Sequence, residues 1–163
     1  MEPLKQPDMT NSFPTVGRWR VTALPSGWMY VTGFGLKQMT ADPETVAANV
    51  SLGEDILESE NALPAYIEEQ ARLINHHLGS AKMAGPQPMA FRGGDEAYLF
   101  FVRHAPEGLM SMLHAQTYVR SGRWVGIVTL TTPESALAAV RPDYDAFLRG
   151  LRIIPKTENE QSN

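Results

Sequence analysis

Cysteine is absent from this 163-residue chain, which removes disulfide frameworks, thiolate zinc sites and thiol catalysis from consideration. Long apolar runs are absent too, since no stretch approaches the roughly 18 consecutive apolar residues of a membrane-spanning helix. The opening Met1-Glu2-Pro3-Leu4-Lys5-Gln6-Pro7-Asp8 places acidic residues and prolines where a signal peptide carries basic and then apolar ones. The expectation is a cytoplasmic protein with no stable membrane insertion. Positive charge is scarce, with 14 Lys and Arg against 18 Asp and Glu. It is also scattered along the sequence, which argues against DNA or RNA as a partner. What is present is ordinary globular material, 43% hydrophobic and 20% charged, at a length that buries a sizeable core as one domain.

Two alternating segments, Leu109 to Val119 and Trp124 to Thr131, meet at Arg120-Ser121-Gly122-Arg123 and predict a long antiparallel hairpin. Its first arm puts Met110, Met112, His114, Gln116 and Tyr118 on one face, a soft apolar strip interrupted by an amide. Upstream, Trp19 to Leu24 alternates, and Pro25-Ser26-Gly27 turns the chain into Trp28 to Phe34, predicting a second hairpin. Thr45 to Leu52 reads as a strand, with Val46, Ala48, Val50 and Leu52 facing one way and Ala47, Asn49 and Ser51 the other. Met89 to Arg92 and Ala97 to Val102, joined at Gly93-Gly94, predict a third hairpin.

The period changes to helical at Leu63, Ile67, Ala71, Ile74 and Leu78. Asn61 is placed to cap that helix, Pro64 fits its first turn and Gly79 supplies its stop. A second helical pattern runs through Leu137, Val140, Tyr144, Phe147, Leu148 and Leu151. Thr132 is placed to cap it and Pro133 to open it. Pro142 lies inside the pattern and predicts a break or kink near Val140, so two short helices are the alternative. Residues 1–17 and 155–163 are polar and without period, which makes them flexible ends around a single domain at 18–154. The order of elements predicts an α+β domain: an antiparallel twisted sheet of about six to seven strands with two main helices on one face. Water or a partner then meets the other face.

Residues with chemical potential form no catalytic constellation. His76 and His77 are adjacent on a helix, about 100° apart, and a favourable helix C-terminus accounts for them better than a metal does. Glu54, Asp55, Glu58 and Glu60 lack the glycine and alternation of a calcium loop. Gly33-Phe34-Gly35 and Arg92-Gly93-Gly94 precede no helix, as a phosphate cradle must, and no Gly-x-Ser-x-Gly elbow is present. The reading is a protein that is not an enzyme and uses no cofactor or metal. Gln70 and Gln116 stand out instead, because amides set in an apolar groove can satisfy the polar groups of a bound helix, as they do between membrane helices. Asn49 and Ser51 can belong to the same surface.

Four short pieces occur in order: Asn-x-Ser-x-Gly-Glu-Asp (Asn49 to Asp55), Tyr-Ile-Glu-Glu-Gln (Tyr66 to Gln70), Gln-Thr-Tyr-Val (Gln116 to Val119) and Thr-Leu-Thr (Thr129 to Thr131). Over Trp19 to Leu151 the chain resembles the DcrB-like, PsbP/Mog1-type fold and, within it, the Eag chaperones of type VI secretion effectors. The resemblance implies a cytosolic homodimer that shields the N-terminal transmembrane helices of an effector and assists its loading onto the secretion spike, which it meets through the effector. It further implies that Asn49, Ser51, Gln70, Ala71 and Gln116 contact that client, with Val50, Ile67 and Ile74 as apolar neighbours. The alternative is a non-catalytic binding or assembly factor of the same fold with a different protein or a small-molecule ligand. An open sheet surface favours the chaperone and a closed cavity favours the alternative.

Overall fold

A computed structural model of the chain describes residues 15–31, 35–40, 42, 44–79 and 81–155. Its centre is a seven-stranded antiparallel sheet in the order β3-β4-β5-β9-β8-β7-β6. The strands are β3 (Trp28–Val31), β4 (Gly35–Gln38), β5 (Asn49–Ile56), β6 (Lys82–Met89), β7 (Glu96–His104), β8 (Met112–Ser121) and β9 (Trp124–Pro133). A small second sheet joins β1 (Thr15–Val16), β2 (Trp19–Arg20) and β10 (Arg152–Ile153), clamping the two ends of the domain together. Two helices, α1 (Leu63–Leu78) and α2 (Leu137–Gly150), complete the domain. The α+β class and the strand number follow the sequence reading.

One detail of that reading is corrected: the helices cover opposite faces. Buried Val140, Tyr144 and Phe147 of α2 pack with Leu36, Val50, Leu52, Val128 and Leu130, and Thr117 and Tyr144 share a hydrogen bond of 3.1 Å. On the other face Leu63 and Ile67 of α1 pack with Phe100, Val102, Tyr118 and Val125, and the Tyr66 and Tyr118 rings meet edge to face at 6.2 Å. Because successive strand side chains alternate between faces, β8 sends Leu113, Ala115, Thr117 and Val119 toward α2 and Met112, His114, Gln116 and Tyr118 toward α1. The central strands are therefore covered on both sides, as in a three-layer arrangement.

Other expectations hold or shift for local reasons. The α1 boundaries are those of the apolar stripe, and Gly79, with φ of 79°, closes the helix through its N–H to Asn75 O. Asn61 does not cap it; Ala62 occupies that position with no side-chain bond. Leu57 N donates to Arg123 O at 2.7 Å, which joins the β5 exit to the β8–β9 turn. Pro142 is accommodated in one continuous α2, since it lies on the exposed side, as does Ala138, whose carbonyl it leaves without a donor. Thr132 and Pro133 end β9, and a 3-10 turn at Glu134–Ala136 leads into α2.

The Trp19 strand forms no hairpin with Trp28. It pairs with β1 and β10, while β3 pairs with β4. Part of the expected second strand, residues 32–34, lies outside the described residues, as do most of the two expected flexible ends. The first strand of the third hairpin lies before the expected Met89 to Arg92: Lys82–Met89 forms β6 despite Pro86 and Pro88, and residues 90–92 belong to the connection. An edge strand tolerates both, needing hydrogen bonds on one side only.

Candidate functional site

The α1 face is only partly covered. Strand pairing lines its side chains up in rows running across the sheet. One row reads Lys37, Asn49, Thr131, His114, Val102, and the next reads Ser51, Thr129, Gln116, Phe100. Helix α1 lies over the Phe100, Val102 and Tyr118 end of these rows. At the other end Lys37, Asn49 and Ser51 are exposed, and Thr129, Thr131, His114, Gln116 and Met112 are half-buried. The result is an open trough with a floor of hydroxyl, amide and imidazole groups and the Lys37 ammonium at its outer end, bounded on one side by α1.

The wall of the trough comes from one flank of α1. Tyr66 Oη donates to Asp55 Oδ2 at 3.0 Å, and Asp55 shares the α1 face of β5 with Asn49 and Ser51. That bond turns the Tyr66 flank toward β5. Gln70 follows one turn later on the same flank, half-buried, and Leu73 beyond it is 41% exposed. On the far side, Met29 of β3 is 47% exposed next to Lys37.

Hydrogen bonds fix the polar floor. Tyr118 Oη donates to Gln116 Oε1 at 2.6 Å, so the amide N–H donors of Gln116 stay unpartnered among the described residues. Burial pushes the Tyr118 hydroxyl pKa well above its ordinary value. Burial also raises that of Tyr66, helped by its hydrogen bond to Asp55. Both phenols therefore remain neutral donors at physiological pH. His114 Nδ1 lies 3.1 Å from Thr131 Oγ1, and burial, followed by the nearby His104, lowers its pKa. The imidazole is accordingly neutral at pH 7. This arrangement can accept and donate hydrogen bonds over a broad open surface.

Of the sequence-predicted site residues, Asn49, Ser51 and Gln116 come together on the trough floor, and Gln70 on its wall. Ile67 is buried beneath α1, with Ala71 and Ile74 partly buried beside it, so these three hold the wall to the sheet. Val50 is corrected: it points to the opposite face, 2% exposed in the α2 core, because strand alternation separates it from both neighbours. The sequence reading missed Thr129, Thr131 and Lys37 as floor residues. The signal was present in the Thr129-x-Thr131 alternation, but only the register with β5 shows that they lie beside Ser51 and Asn49. Met110 lies before β8 and is exposed, outside the strip expected to contain it. His76 and His77 stack edge to face at 5.9 Å on the exposed end of α1, and no group of three or more His, Cys, Asp or Glu among the described residues is placed to hold a metal. No helix among the described residues is long and apolar enough to cross a membrane.

No family model matches the sequence, and no curated protein matches it. Solved structures do resemble it. PA94, a protein of unknown function from Pseudomonas aeruginosa, superposes with a TM-score of 0.62 at 19% identity, over 82% of this chain and 90% of that one. Cyanobacterial PsbP from Synechocystis sp. PCC 6803 gives 0.57 at 13% identity, over 83% and 86%. LpqN, involved in cell envelope biogenesis of Mycobacterium tuberculosis, gives 0.54 at 16%, over 88% and 83%. Identities this low speak for the backbone alone, and what they identify is a single α+β domain of the PsbP/Mog1-like fold.

Proposed function

We propose that this chain is a non-catalytic, cytosolic chaperone of the Eag type. In this reading its trough receives the apolar N-terminal helices of a type VI secretion effector and keeps them from water until the effector is loaded onto the secretion spike. The observation that carries the reading is the polar pair of rows, Asn49–Thr131–His114 and Ser51–Thr129–Gln116, on an open sheet face beside α1. A surface whose two rows are mainly uncharged donors and acceptors, with Lys37 at one end, suits a segment whose polar groups need partners but whose bulk is apolar. Each square ångström of apolar helix left in water costs roughly 25 cal/mol, so a client hairpin gains greatly from cover. Release stays feasible because hydrogen bonds to the floor exchange readily with those of water or of another helix. The client in this reading binds a homodimer.

The test is co-expression of the full chain with the membrane-helix-bearing N-terminal segment of a type VI effector encoded beside it, followed by affinity purification without detergent. A soluble complex that disappears when the apolar helices are deleted supports the reading. A segment that stays insoluble, or that co-purifies equally without its helices, rejects it.

A further inference from the structure

The α2 face carries a second feature, unrelated to the trough. A cavity of about 230 Å³ lies between α2 and the β6–β7 hairpin, walled by Leu99, Phe101, Leu130, Leu137 and Leu148. The Tyr144 hydroxyl that also lines it is already bonded to Thr117, and Arg141 and Asp145 line it with side chains open to solvent, so the rest of the wall is apolar. A larger recess of about 480 Å³ continues from it and shares Met89, Asp145 and Leu148 with it. The two make one groove along α2 from Leu137 to Arg149, about 18 Å long at 1.5 Å per helical residue.

The ends of the groove differ. The inner end is mostly hydrocarbon, and its two charged lining residues, Arg141 and Asp145, have solvent-exposed side chains that lie 3.9 Å apart as a pair. The outer end is rimmed by Arg92, Arg149 and Arg152. Arg152 is used internally, its Nη1 donating to Arg149 O at 2.6 Å and Leu151 O at 3.0 Å, where it offsets the negative end of the helix. Arg92 and Arg149 are exposed and form no ion pair among the described residues. The one carboxylate lining the groove, Asp145, lies 3.9 Å from Arg141. The inner cavity is also narrow: a helix about 10 Å across occupies roughly 400 Å³ per turn, more than the space available, whereas a single alkyl chain fits.

The geometry points to a binding site for a single-chain anionic amphiphile, with the acyl tail in the cavity under α2 and the carboxylate or phosphate head between Arg92 and Arg149. Long-chain fatty acids and alkyl phosphates share this chemistry. The site lies on the face of the sheet opposite the trough, and neither depends on the other.

The probes are dodecanoate, dodecyl phosphate, the neutral dodecanol and the tail-less acetate, each titrated calorimetrically into the full chain below its micelle-forming concentration. Saturable one-to-one binding of dodecanoate or dodecyl phosphate is expected, the tighter of the two naming the head group, with dodecanol weaker by about tenfold or more and acetate silent. Arg92→Glu with Arg149→Glu, both on the surface, is expected to weaken binding by a similar factor while lowering the melting temperature by no more than a few degrees, the cost of an acid in the last turn of α2. Ala115→Met, which fills the cavity from its floor, is expected to abolish it, and a near-native unfolding midpoint checks that the variant folds. Absence of saturable binding by both anions overturns the proposal. So does dodecanol binding as tightly as dodecanoate, or the double arginine variant binding unchanged.

Discussion

Gly126 sits in β9 directly beneath the two tryptophans that seal the β2 end of the core. A Cβ built there would overlap Trp19 Cζ2 and Trp124 Cη2 and stand 2.6 Å from Trp19 Cε2. The rings pack edge to face at 5.2 Å. Each is also tethered, Trp19 Nε1 to Gly53 O at 3.0 Å and Trp124 Nε1 to Glu54 Oε2 at 2.8 Å. Neither ring can move aside without losing a bond. Gly126→Ala therefore combines overpacking of about 1–3 kcal/mol with loss of part of an aromatic pair worth about 1 kcal/mol and of at least one indole hydrogen bond at about 1 kcal/mol. The expected cost is about 3–5 kcal/mol, a large share of a domain's stability, or about 10 °C in Tm for a chain of this size. Gly53→Ala is the matched control, because a Cβ there meets nothing nearer than Ile127 O at 3.9 Å. Urea unfolding followed by tryptophan fluorescence reads both variants. A Gly126→Ala midpoint within about 1 kcal/mol of the parent chain would refute the packing described.

Further outcomes follow from the same structure. Tyr144→Phe strands the fully buried Thr117 hydroxyl and is expected to cost about 1–2 kcal/mol, most of which returns in the Tyr144→Phe, Thr117→Val pair. A double-mutant cycle without coupling contradicts that bond. The folded-state pKa of His114 lies below its ordinary value, so the unfolded chain binds the proton more readily, and stability falls as pH drops below about 6.5 and levels off beneath the lowered pKa. His114→Gln is expected to flatten that slope between about pH 7 and pH 5 in thermal unfolding; an unchanged slope assigns it to another group. Glu134, held below the usual carboxylate range by Ser111 and Arg103, contributes stability that is present above its unfolded pKa and is lost at lower pH than the His114 effect. Glu134→Gln is expected to reduce only that acid limb.

Local patterns were legible wherever one residue's surroundings were decided by its near neighbours. The α1 stripe and its Gly79 stop, the β8–β9 hairpin and the alternation of β5 are of this kind, although β5 runs Asn49–Ile56 and not Thr45 to Leu52 as its pattern suggested. Pairings between distant segments were not, because nothing local tells Trp19 that its partners are Thr15–Val16 and Arg152–Ile153. The choice of face for each helix is also nonlocal. A signal for two covered faces did exist in β9, where Trp124 to Leu130 is apolar nearly without interruption, the mark of a strand buried on both sides. In the site, Asn49, Ser51 and Gln116 were readable as polar positions on half-apolar strands, but Thr129 and Thr131 needed the register to join them. The arginines scattered through the sequence illustrate the same limit, since Arg92, Arg149 and Arg152 meet at one recess only in the fold.

The measurement that bears most directly on the proposed chaperone role compares client capture by three variants. Ser51→Leu removes a floor hydroxyl from an exposed position, and Gln116→Glu keeps the oxygen that Tyr118 donates to while removing the amide donors. Arg149→Glu, on the opposite face, is the control. The account predicts that the two floor variants lose about tenfold or more of effector-segment binding in detergent-free co-purification while melting near the parent chain, and that Arg149→Glu binds normally. Undiminished capture by both floor variants, or an equal loss in the Arg149→Glu control, would contradict the assignment of the trough as the client site.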